Sequence, residues 1–127
     1  MSIDYKVVEK GQPGILGGGE KKFYAQIVYG KEVTVDELVK EIERFSALSE
    51  ADIRGVIIAL ENVIQDKLSQ SRIVRFEKLG SLYPSISSNA EERLDDVDLY
   101  TIKKVSVNYR PGKRILDAMK NAEFNKN

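Results

Sequence analysis

An α+β fold follows from two hydrophobic periods met along one chain of 127 residues. Segments that repeat every second residue flank two longer segments with helical period, and each helical segment begins at a side chain able to cap it. A last strand then runs into a last helix near residue 110. The predicted order is strand, strand, helix, helix, three strands and a final helix.

Ile3, Tyr5 and Val7 alternate with polar neighbours, and Phe23, Ala25, Ile27 and Tyr29 do so again. Two strands are expected there, joined by Gly11-Gln-Pro-Gly-Ile-Leu-Gly-Gly-Gly19, whose Gly and Pro exclude regular structure. A phosphate-binding loop is excluded, because no Gly-Lys-Ser/Thr follows and the order is strand, loop, strand. Thr34-Val-Asp-Glu37 is a capping box, so a helix starts there, with Val35, Leu38, Val39, Ile42 and Phe45 on its apolar side. Ser46 to Leu48 interrupt it. Ser49, followed by Asp52, opens a second helix running to about Ser69, with Ile53, Val56, Ile57, Leu60 and Ile64 in a stripe. Ile58 and Val63 fall off that stripe. A helix apolar on more than one side needs more than one neighbour, either a second subunit or the N-terminal hairpin.

From Arg72 the period returns to two. Ile73, Arg75 and Glu77, then Ser81, Tyr83 and Ser85, alternate against Val74, Phe76, Leu79 and Leu82, with a turn at Lys78-Leu-Gly80. Pro84 suits an edge strand or a bulge. Ser87 to Asp98 is polar and acidic, and strand-like alternation resumes from Leu99 to Tyr109. Pro111 then presets the backbone for the last helix, which should gather Ile115, Leu116, Met119 and Ala122 on one side. Arg110, Lys113 and Arg114 crowd this junction. Cations at a helix start run against its dipole, and a bound anion would relieve that mismatch.

Length allows one compact domain with a short extension. Lys plus Arg and Asp plus Glu both number 20, so the net charge is zero and there is no general attraction to nucleic acid. Without cysteine there are no disulfides or thiolate metal sites, and without histidine the commonest metal ligand and general base are gone. Hence no enzyme, cofactor, metal centre or small-molecule substrate is expected. The chain lacks an apolar run of membrane-spanning length and a signal-peptide layout at its start, which predicts a soluble cytoplasmic protein.

Two capped helices, the Leu79-Gly-Ser-Leu82 turn, a strand pair with an excursion between its members, and Tyr-Arg-Pro-Gly-Lys113 before a last helix resemble the HU and IHF family of bacterial DNA-bending proteins. The resemblance covers about Val33 to Phe124, and Ile102-Lys-Lys-Val-Ser-Val-Asn-Tyr-Arg-Pro-Gly-Lys113 is its most specific part. Within the family the chain is most similar to the HU-related group of Bacteroides-type bacteria with an extra N-terminal strand segment, here Tyr5 to Val28. The resemblance implies two parts, an N-terminal strand or hairpin extension at 1–32 and an HU-like DNA-binding domain at 33–127. It also implies an intertwined homodimer with β-arms, duplex DNA as partner and a histone-like role in the nucleoid.

Carried onto this sequence, the family's phosphate contacts fall on Arg110, Lys113 and Lys103, and Arg114, Lys104 and Arg75 join them as candidates on charge and position. Lys103 and Lys104 must point to opposite faces of a strand, so at most one faces the same DNA. The chain departs from the family in three places. No proline lies between Pro84 and Pro111 to wedge into a base step, Lys78 stands where the turn usually has glycine, and Leu82 where it usually has an aromatic. Between Ser88 and Ile102 five acids face Arg93 alone, a net charge of −4, which argues against an arm that wraps and intercalates. From Lys103 to Asn127 seven cations face two acids, a net of +5. The rival expectation is an HU-like dimeric protein-interaction module that has lost DNA binding and uses its acidic arm or hairpin toward a protein.

Overall fold

The computed structural model describes residues 2–127, in a mixed α+β arrangement. The chain divides into two compact units. Thr34–Asp117 forms one, and the residues up to Val33 join Ala118–Asn127 in the other.

In the first of these, α1 (Val35–Arg44) and α2 (Glu50–Ser69) start at their predicted caps. Thr34 Oγ accepts from the Glu37 N–H at 3.3 Å and Ser49 Oγ from the Asp52 N–H at 3.2 Å. Only the hydroxyl half of the capping box forms among the described residues. α1 packs on α2, Arg54 of α2 pairs with Asp36 of α1, and Val39 and Ile53 are the two fully buried apolar side chains. Along α2, Ile57 and Ile64 are half-buried, whereas Val56 and Leu60, expected on the main stripe, stay exposed with Ile58 and Val63. Beyond the end of α2 the chain turns away at Ser71, whose φ of 64° is left-handed, with the Arg72 N–H donating back to the Lys67 carbonyl.

A three-stranded antiparallel sheet follows: β3 (Val74–Arg75), β4 (Gly80–Ser88) and β5 (Ile102–Pro111), with β4 central. β3 is shorter than the alternation suggests, and α2 packs against both it and β4. Pro84 therefore sits on a central strand, contrary to expectation. It is tolerated because β3 pairs only as far as Leu82, so Pro84 has one strand neighbour, at Val107. β5 starts later than the alternation indicates, because Leu99–Thr101 closes a helical turn. It also runs through Pro111, so α3 (Lys113–Lys120) begins two residues beyond that proline and ends before Ala122.

Two glycines weld the turn to the strand-helix junction. Gly80 has φ +122°, and a Cβ there would overlap the Arg110 carbonyl, while a Cβ on Gly112 would overlap the Lys78 carbonyl. The Leu79 carbonyl accepts from the Gly112 N–H at 3.1 Å and the Tyr109 hydroxyl at 2.6 Å.

The other unit is built on β1 (Ser2–Lys10) and β2 (Lys22–Ile27), an antiparallel hairpin in which Tyr5 faces Ile27 and Val7 faces Ala25. The strand β6 (Glu123–Lys126), which no periodicity in the sequence indicates, pairs parallel to β1. Ile3, Tyr5, Ala25, Ile27 and Phe124 share one face, and the Tyr5 and Phe124 rings meet edge to face with centroids 6.5 Å apart. Between the hairpin strands the glycine loop closes on itself, the Gln12 N–H donating to the Gly18 carbonyl at 2.7 Å.

Candidate functional site

Register decides which side chains of the second sheet share a face. Arg75 on β3 stands opposite Ser81 on β4, and Ser81 stands opposite Arg110 on β5. The three form one row across the sheet. Because side chains alternate, the same face carries Tyr83 and Asn108 in the next row, Ser85 and Ser106 beyond them, then Ser87 and Lys104. Every one of these is polar. The opposite face holds Val74, Leu82, Pro84, Ile86, Val105, Val107 and Tyr109. Lys103 belongs to neither row, because Ser87 pairs with Lys104 and Ser88 with Ile102, which leaves it as the extra residue of a bulge.

Arg75, Ser81, Tyr83 and Arg110, with Ile73, line a concavity of about 250 Å³. The Arg75 Nε–H donates to Ser81 Oγ at 3.4 Å, and the Arg110 guanidinium lies over the Tyr83 ring, 5.7 Å from its centroid. Asn108 donates to Ser85 Oγ at 2.9 Å. Neither arginine has an ion-pair partner among the described residues. Two held but uncompensated guanidiniums around a shallow hollow can fork onto oxyanions, and the flanking hydroxyls can donate to the same group.

Of the six cations singled out from the sequence, Arg75 and Arg110 come together here, and Lys104 shares their face toward the far end of β4 and β5. Lys103 sits in the bulge next to Lys104, outside the paired register. Lys113 and Arg114 are exposed in the first turn of α3, which has no acid, but do not line the hollow. Sequence reasoning gives Ser81 and Tyr83 no part in the site. The signal was there in the strict alternation Ser81, Tyr83, Ser85, an all-polar stripe in an otherwise apolar strand.

A family model described as "HU domain fused to wHTH, Ig, or Glycine-rich motif" (HU-HIG) matches residues 1–126. No curated protein matches the chain. Among solved structures, one from Bacteroides vulgatus ATCC 8482, described as a candidate bacterial DNA-binding protein, is similar in fold with a TM-score of 0.70 at 14% identity. The similarity covers 98% of this chain and 48% of that one, so this chain spans about half of that protein's length.

Proposed function

The chain belongs to the HU-HIG family, HU domains fused to winged helix-turn-helix, Ig or glycine-rich motifs, and from that premise we propose a non-enzymatic architectural protein that holds duplex DNA by its phosphates. It acts as a homodimer in the bacterial nucleoid, within the cytoplasm. The observation that carries the reading is the row Arg75, Ser81, Arg110, two unpaired guanidiniums on an all-polar sheet face. Each guanidinium can take two phosphate oxygens at once, and the serines and Asn108 supply neutral donors between them. Lys104 extends the positive track, and Lys113 and Arg114 add charge at the start of α3. Contacts of this kind position a protein without reading bases, so little sequence preference follows. The zero net charge is no obstacle. The cations act locally, where phosphates would sit.

The homodimer is supported by how little one chain buries. Val39 and Ile53 are the only fully buried apolar residues described, while Val56, Ile58 and Val63 of α2 are each more than half exposed. A second copy of α2 would cover that surface.

The test is an anisotropy titration of unrelated duplexes at about 50 and about 200 mM salt. Affinity should be similar across sequences and fall steeply with salt. The double variant Arg75→Ala/Arg110→Ala should weaken binding to all of them and lower the slope of log affinity against log salt by about 0.9 for each phosphate no longer neutralised. Absence of measurable affinity at the lower salt would sink the reading. The acidic excursion favours the rival, an interaction module without DNA binding, and that module predicts this null result.

A further inference from the structure

Residues 89–101, which join β4 to β5, expose Leu94, Leu99 and Tyr100 at 90%, 70% and 83%. Two short helical turns, Leu94–Asp96 and Leu99–Thr101, carry them. The base is fixed by Thr101, which is buried and whose N–H and hydroxyl both donate to the Asp98 carbonyl, at 3.1 and 2.7 Å. The Asn89 N–H donates to the Thr101 carbonyl at 2.8 Å and closes the excursion. Large apolar side chains gathered on so short a segment mark an interaction surface. Around them stand Glu91, Glu92, Asp95, Asp96 and Asp98, with Arg93 the single cation. Such a surface repels phosphates and selects a partner that is both cationic and partly apolar.

The chain carries a surface of that chemistry. The hollow at Arg75 and Arg110 has two cations without carboxylate partners, the Tyr83 ring beneath one of them, and Ile73 at its edge, 59% exposed. The excursion cannot reach the hollow of its own chain. β4 and β5 are paired from Gly80 and Pro111 out to Ser88 and Ile102, which holds the excursion roughly 25 Å from Arg110 along the same strands. Only another molecule can bring the two together.

We propose that the excursion of one copy docks in the Arg75–Arg110 hollow of a second copy. Its carboxylates occupy the places that duplex phosphates take, and Leu94 or Tyr100 meets Ile73 and Tyr83. Self-association and DNA binding then exclude one another, so DNA disperses assemblies that form in its absence. The exclusion rests on the DNA reading above. The docking itself does not.

Sedimentation velocity on the full chain at about 50 mM salt, where charge pairing is strong, tests both. Wild-type protein should associate beyond its basal species as concentration rises. The excursion variant Leu94→Ser/Asp95→Asn/Asp96→Asn/Tyr100→Ser should not, and neither should Arg75→Ala/Arg110→Ala. Mixing the two variants should restore association, since one keeps the hollow and the other the excursion, and this excludes misfolding as the cause of either loss. Adding duplex DNA should disperse the wild-type assemblies. Wild-type protein with no species beyond the basal one, association unchanged in the excursion variant, or a mixture that stays apart would each overturn the docking. Association through the excursion without any DNA affinity would remove the DNA reading and the exclusion while leaving the docking in place.

Discussion

At Gly80 there is no room for a side chain, because the Arg110 carbonyl and the Gly112 nitrogen occupy its place and φ is +122°. Gly80→Ala should cost about 2 kcal/mol or more in chemical denaturation, through overlap as well as backbone strain. Gly14→Ala is the control. It also has positive φ, +79°, but open space around it, so only the left-handed cost of about 1 kcal/mol applies. Equal losses at the two sites would show that close approach does not fix the turn. Arg110 is held by the face of Tyr83 as well as by charge. Arg110→Lys keeps the charge and loses the planar fork, so duplex affinity should drop about fivefold, as ~1 kcal/mol implies. Undiminished affinity in that variant would reduce Arg110 to a point charge.

At the scale of elements, strand register separates the two lysines of β5. Lys104 shares the face of Arg75 and Arg110, and Lys103 is the extra residue of a bulge, outside the paired register. Lys104→Ala should therefore weaken duplex binding and its salt dependence more than Lys103→Ala does, as titrations of the two variants would reveal. The reverse order would mean that the row of Arg75 and Arg110 does not extend to Lys104. The end of α2 offers a separate check. Ser71 takes the left-handed conformation that glycine adopts without strain, so Ser71→Gly should stabilise the fold by about 1 kcal/mol, seen as a melting temperature a few degrees higher.

For the molecule as a whole, the exposed side of α2 is the issue. Val56, Ile58, Leu60 and Val63 lie in solvent when the chain stands alone. Each is about half exposed, so covering it with a partner would be worth about 1 kcal/mol, and the patch counts twice in a symmetric dimer. Light scattering at micromolar concentration should report a dimer, and Ile58→Glu should dissociate or unfold it. A stable wild-type monomer would mean that this surface is covered by something else.

The amino-acid sequence by itself determined the local elements and the family. Capping at Thr34 and Ser49, the extent of α2, the N-terminal hairpin and the turn at Gly80 were all legible, because each depends on residues a few positions apart. Other features depended on pairing between distant segments. Glu123–Lys126 has one apolar residue and no alternation, and becomes a strand because β1 offers it an edge. Pro84 stands in a central strand only because β3 stops short of it. The meeting of Arg75 with Arg110 has the same origin. No local pattern links them, and the register of three strands, pinned where Gly80 and Gly112 let two backbones touch, sets them on either side of Ser81.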